Sequence, residues 1–182
     1  EKKIPLAAIW EKLNYKLHVH GEQHKISLVN SGHIWGSAQI VVEGEKKVVV
    51  TTDMKLQDSI IQKGAEIVPC DILVIESTFG KKEFSFPERE KVYAEMGKWI
   101  RNAQNQNMLP VLQGYSTGKA QELTKIVNEY STAIPFVHKN VFEKNSIAKA
   151  HGANIGTFEL IDHNLREAEV LILPPNLCDF ET

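Results

Sequence analysis

Cysteine is scarce: Cys70 and Cys178 are the only two in 182 residues, and neither has a CxxC partner. That excludes a disulfide framework and a thiolate zinc site, so both read as small apolar fillers. No apolar run approaches the ~20 residues that cross a bilayer, and the charged start Glu1-Lys2-Lys3-Ile4-Pro5 lacks the apolar stretch of a signal peptide. The chain therefore reads as cytoplasmic. Positive charge is not in excess either: the net charge of −2 excludes a surface coated in positive potential, the usual footprint of broad nucleic-acid binding, and leaves only local basic clusters. Internal repeats and low-complexity tracts are absent. The first residue is not methionine, which reads as an excerpt or a processed product. At 42% hydrophobic and 24% charged, the chain has the composition of a soluble globular protein with one sizeable core or two small ones.

Alternation of apolar and polar residues around Leu17, Val19, Ile26 and Leu28, with Gly21-Glu22 between, predicts a hairpin over 16–30. A second hairpin is predicted over 40–51 around Glu43-Gly44-Glu45-Lys46, and its return strand Val48-Val49-Val50 reads as buried on both faces. Asp71 to Glu76 is another short apolar run, closed by Ser77-Thr78-Phe79-Gly80. Beyond a boundary between Gly80 and Pro87 the pattern alternates. Helices are expected from Pro87 to about Asn102 (Val92, Met96, Trp99 and Ile100 at helical spacing), over 117–130 (Leu123, Ile126 and Val127 on one side) and over 141–151. Strands are expected at 108–112, 134–137 and 169–173, the last ended by Pro174-Pro175. Such alternation implies parallel β-α-β units.

Three polar clusters follow apolar strand-like runs, and they place His33, Asp53 and Glu76 at strand ends where they could converge. A neutral imidazole and carboxylates are ligands of first-row metals and the supports of such ligands. Glycines flank His33 in Ser31-Gly32-His33-Ile34-Trp35-Gly36-Ser37-Ala38, allowing close backbone approach there. Taken singly, His33 also fits a strand-end histidine bonded to a carbonyl, Asp53 a turn residue or helix N-cap, and Glu76 a surface carboxylate. An acid buried at the end of the 71–76 run without a partner would be costly. His18 and His20, with His24, could chelate one ion from a shared strand face, although alternation with Leu17 and Val19 favours a solvent-side pair.

Together these residues resemble the metallo-β-lactamase-fold nucleases of the β-CASP group. Gly32-His33-Ile34 with Gly36-Ser37-Ala38-Gln39 is similar to their third metal motif, Asp53 after the triple-valine strand to the fourth, and Glu76-Ser77-Thr78-Phe79-Gly80 to the acidic motif that opens the β-CASP cassette. Gly114-Tyr115-Ser116-Thr117-Gly118-Lys119-Ala120-Gln121-Glu122 resembles the glycine-containing turn and helix of that cassette. Order and spacing agree over 31–122, and within the group the chain is most similar to the short exonuclease-like form and the archaeal RNA 3′-end processing factors. The resemblance implies an α/β fold in which metallo-β-lactamase-type strands (1–80) precede a Rossmann-like β-CASP α/β cassette (81–182). It implies a zinc-dependent phosphodiester hydrolase in RNA processing, with His33 and Asp53 as metal ligands, Asp53 bridging two zinc ions and Glu76 supporting a ligand or proton transfer. Two such ions about 3.5–4 Å apart lower the pKa of a bridging water and steady the phosphorane charge.

Departures from the family pattern bear on catalysis. The His-x-His-x-Asp-His string expected before His33 is absent, no clear late histidine motif follows, and Thr52 stands where the family usually has glycine. Two ligands do not make a zinc site. Three explanations stay open: the remaining ligands lie in other segments, another chain supplies them as a homodimer mate or complementary subunit, or this form binds nucleic acid without cleaving it. A DNA-processing exonuclease is a further alternative, because the motifs prescribe phosphodiester chemistry on RNA or single-stranded DNA alike. Gly114 to Lys119 fails the P-loop pattern, with one residue too few between the glycines and Ala120 at the Ser/Thr place. Free backbone N–H groups at such a turn would still suit a substrate phosphate on Ser116, Thr117, Gly118 and Lys119. Plain helix capping accounts for the same residues equally well. Lys81 and Lys82 could steer a strand, and Trp35 and Tyr115 could stack on bases, or pack as core and rim.

Overall fold

The computed structural model describes residues 15–19, 22–161 and 167–177. The chain divides into two compact units, Glu1–Phe84 and Ser85–Thr182. His20 and Cys178 lie outside the described residues.

Strands β1 (Tyr15–Val19) and β2 (Glu22–Asn30) form the first hairpin, and β3 (Ala38–Glu43) and β4 (Lys47–Val50) the second. With β5 (Ile72–Val74) they make a five-stranded sheet in sequential order, antiparallel except for the parallel β4–β5 pair. In β4 only Val49 is fully buried, at 1% exposure; Val48 and Val50 are half-buried, so the strand is not covered on both faces as its valine run predicts. The apolar run of β5 is exposed throughout, because β5 is the edge of the sheet and no described element of this unit lies over it.

The second unit alternates as predicted: helix α1 (Arg89–Asn105), β6 (Val111–Gln113), helix α2 (Lys119–Tyr130), β7 (Pro135–Val137), helix α3 (Lys139–Ala150), β8 (Glu159–Leu160) and β9 (Val170–Leu173). All pairs in its four-stranded sheet, order β6-β9-β7-β8, are parallel. The connections from β6 to β7 and from β7 to β8 each carry a helix, α2 and α3. Ile100, Val127, Val137, Val141, Val170 and Ile172 lock helices to strands in one core. The α/β class is therefore observed directly.

The buried face of helix α1 departs from the expected stripe at Trp99. Of the expected residues Ile100 is buried and Met96 packs on the core, but Trp99 is half exposed, and Tyr93, Gly97 and Ala103 also face inward. Both stripes satisfy helical spacing, so hydropathy alone does not choose between them. Gly97 decides it: a Cβ there would meet the Tyr130 backbone and Cβ, so only glycine lets α1 approach α2 this closely. The Tyr93 hydroxyl adds to the choice by donating to Glu122 Oε1 at 2.8 Å.

Candidate metal centre

The loop joining β2 to β3 carries His33, and its backbone is held from many sides. Gly32 sits at φ 68° and Gly36 at φ 91°, and a Cβ on Gly32 would collide with the carbonyl of Lys55 and the backbone of Gly64 and Ala65. That close approach is one a glycine alone permits. Ser31 Oγ donates to Ser37 Oγ at 2.7 Å, and Ser37 Oγ accepts from the Ile34 N–H at 3.0 Å. Asn30 Oδ1 accepts from the Gly32 N–H at 2.9 Å while its Nδ2 donates to the Gly64 carbonyl at 2.9 Å. Gln39 Nε2 donates to the carbonyls of Asn30 and Glu66, at 3.0 and 2.7 Å, and Gln62 Nε2 to the Gly32 carbonyl at 2.8 Å. The segment 55–66 is thereby sewn to the His33 loop.

These amides were not singled out from the sequence. A signal existed: in β3 the amide Gln39 shares the buried face with Val41 while Ile40 points outward, the reverse of an amphipathic strand. A polar side chain on the inner face must satisfy a backbone group there. Trp35 is half-buried in the wall of a cavity of about 450 Å³ shared with Asn30 and residues 58–63.

Asp53 follows β4. Its carboxylate Oδ2 stands 3.8 Å from His33 Nε2, with side chains 74% and 43% exposed. This is beyond hydrogen-bond reach. Two donors on one tetrahedral zinc, each about 2.0–2.2 Å from it, would stand about 3.3–3.5 Å apart. The gap between this imidazole nitrogen and carboxylate oxygen, 3.8 Å, is somewhat wider than that spacing. The fit is partial: among the described residues no group of three or more His, Cys, Asp or Glu side chains could hold a metal.

Glu76 lies two residues past β5. Its Oε2 accepts from the Thr78 N–H at 2.7 Å. That bond, then the Thr78 side chain, the Met54 backbone and the charge of His33, hold its carboxyl below the ordinary 4.5. Glu76 thus lies beside the Met54 backbone, one residue past Asp53. Because the folded value is depressed, the stability this carboxylate contributes is present above pH 4.5 and is lost as pH falls through the folded value. Carboxyl NMR should find Glu76 titrating below 4.5 in the parent and higher, though not fully restored, in Thr78→Val, which keeps the N–H; a parent midpoint at or above 4.5 contradicts the arrangement.

The residue before Asp53 is under strain. Thr52 has φ 55°, in the left-handed region that a β-branched side chain rarely enters, at a cost of about 1–2 kcal/mol.

In the second unit Ser116, Thr117 and Gly118 form the turn before α2, and Lys119 is its first residue. The turn's backbone donors are occupied from within: the Gly118 N–H donates to Gln121 Oε1 at 2.6 Å, the Lys119 N–H to the Thr117 carbonyl at 3.2 Å, and the Ala120 N–H to the Tyr115 carbonyl at 3.0 Å. The N–H groups of Gly118, Lys119 and Ala120 therefore already have partners. Side-chain hydroxyls of Ser116 and Thr117 and the Lys119 ammonium remain as anion partners, the ammonium lying 3.4 Å from Glu122 Oε2. Gln121 Nε2 also donates to the Ser116 carbonyl and to buried Asn145 Oδ1, which pins the turn to α3.

No family model matches the chain. It is 31% identical over 144 residues, 76% of its length, to cleavage and polyadenylation specificity factor subunit 3 of Dictyostelium discoideum. It is 30% identical over 129 residues, 68% of its length, to a Methanocaldococcus jannaschii protein named "Probable RNase MJ4". A protein of Opitutus terrae named "Probable DNA ligase" is 28% identical over 157 residues, 82% of the chain. The chain spans 18%, 30% and 15% of the respective lengths of these relatives.

Proposed function

Because the chain is, over most of its length, a homologue of the metallo-β-lactamase/β-CASP nucleases, we propose that it supplies part of the active site of a metal-dependent phosphodiester hydrolase acting on RNA. The single observation that carries this reading is the approach of His33 Nε2 to Asp53 Oδ2. In this reading residues 1–80 are part of the metallo-β-lactamase domain and 81–182 part of the β-CASP cassette. His33 and Asp53 hold zinc, two ions in a complete site, with Asp53 the shared carboxylate; the remaining donors come from other segments or another subunit. Bound there, the metal supplies a water of lowered pKa and stabilises charge on the phosphate oxygens. Glu76, kept ionised by Thr78, supports a neighbouring ligand or accepts a proton at its carboxylate. Ser116, Thr117 and Lys119 contact a substrate phosphate through their side chains, with Gly118 shaping the turn. No helix among the described residues is long and apolar enough to cross a membrane, and we place the protein in the cytoplasm.

End-labelled single-stranded RNA and DNA of one sequence, offered to the purified protein with zinc, test this directly. Cleavage of RNA that is lost with a chelator supports the reading. Preference for DNA favours a second one, a DNA-end-processing exonuclease, to which the similarity with the protein named as a DNA ligase lends weight. If neither strand is cut and no zinc is taken up, the chain is a non-catalytic or half-site nucleic-acid-binding subunit. That outcome would accord with the incomplete donor set of the described residues.

A further inference from the structure

Thr51 and Thr52 stand at the junction of the three strand ends that carry His33, Asp53 and Glu76. The Thr51 N–H donates to the Val74 carbonyl at 3.0 Å, extending the β4–β5 ladder one step toward Glu76. Thr51 is itself buried, and its Oγ1 donates to the Thr52 carbonyl at 2.8 Å. On the other side, Thr52 Oγ1 donates to the carbonyl of Ala38 at 2.9 Å. Ala38 is the residue at which the His33 loop re-enters the sheet.

Positive φ at Thr52 makes this bond informative. Gly32 and Gly36 reach positive φ with no Cβ to obstruct them, whereas Thr52 does so with a branched Cβ. Glycine would relieve the backbone but carry no hydroxyl. The feature that sets threonine apart from glycine here is the lateral hold on Ala38.

We propose that the Thr52 hydroxyl is a positioning group: it ties the residue before Asp53 to the strand that begins where the His33 loop ends, and so sets the carboxylate opposite the imidazole. The inference rests on reading His33 and Asp53 as metal ligands. Thr52 touches neither metal nor substrate in this scheme; it acts through Asp53. Groups that orient ligands from behind in this way commonly change metal affinity about 10–100-fold when lost.

Three variants of the full chain separate positioning from bulk stability: Thr52→Gly removes both strain and hydroxyl, Thr52→Val removes the hydroxyl and keeps the branched Cβ, and Thr52→Ser keeps the hydroxyl. Titration calorimetry with zinc ion alone should show binding about tenfold weaker in Thr52→Gly and Thr52→Val, and within about twofold of the parent in Thr52→Ser. Thr52→Gly should melt no lower than the parent, a split between stability and metal affinity that a merely structural role would not give. Amide exchange at Asp53 and Met54 should quicken in the Gly and Val variants and not in Ser. Zinc affinity in Thr52→Gly equal to the parent's, or exchange unchanged by loss of the hydroxyl, overturns the proposal. Asp53→Ala and His33→Ala chains that bind zinc like the parent, or a parent that takes up none, overturn the reading of the site instead, and the exchange data still decide the tether.

Discussion

Replacing Asp53 by alanine is expected to abolish cleavage by the complete protein and to weaken metal binding by more than about 100-fold, a larger loss than removal of an outer-sphere partner. The side chain is 74% exposed, so melting should hardly move, within the roughly 0.5 kcal/mol typical of surface changes. A variant that folds like the parent yet holds no metal isolates ligation from architecture. His33→Ala should behave alike, since two donors facing one ion are not separable. Metal content by elemental assay and cleavage of labelled RNA check both. Retained activity in Asp53→Ala would refute the assignment.

Glu122→Ala should act oppositely, on folding rather than chemistry. The Glu122 side chain is 7% exposed and receives Arg89 Nη1 at 3.0 Å, the Tyr93 hydroxyl at 2.8 Å and Lys119 Nζ at 3.4 Å. Removing the carboxylate leaves the half-buried Arg89 guanidinium without its counter-charge, and Arg89 Nε is already a buried donor with no partner. Breaking a buried pair by deleting one member costs about 3–5 kcal/mol, and the partial exposure of Arg89 places the expected loss near the lower end, about 3 kcal/mol. Chemical denaturation followed by a probe in the second unit measures it. Glu122→Gln should recover part of the loss by accepting the Tyr93 hydroxyl. A Glu122→Ala chain as stable as the parent would show that α1 and α2 are held by apolar packing alone.

Much of this architecture was legible because one-sided strands and helices write their period into the chain. The hairpins showed in the alternation of Leu17, Val19, Ile26 and Leu28, and α2 in Leu123, Ile126 and Val127, which three are buried. Strand β8, Glu159–Leu160, was missed because two residues cannot display a period of two. Helix α1 was placed with Ile100 and Met96 on the core side but with Trp99 on the wrong one, since Gly97 and Tyr93 help choose its face through a close approach and a hydroxyl, neither of which hydropathy records. The nearness of His33 to Asp53 was readable from their places at strand ends. Asn30, Gln39 and Gln62 were not, because an amide that satisfies a distant carbonyl looks locally like any polar residue. At the Ser116–Lys119 turn the bond from the Gly118 N–H to Gln121 Oε1 leaves no mark in the local spacing either. Long-range hydrogen bonds leave little trace in local spacing.

Crystals of the protein grown with zinc, measured on both sides of the zinc absorption edge, test the central claim most directly. The account predicts an anomalous peak between His33 Nε2 and Asp53 Oδ2, about 2.0–2.2 Å from each, the ordinary zinc–ligand distance. Zinc found only elsewhere, with the imidazole and the carboxylate both left in contact with solvent, would contradict it.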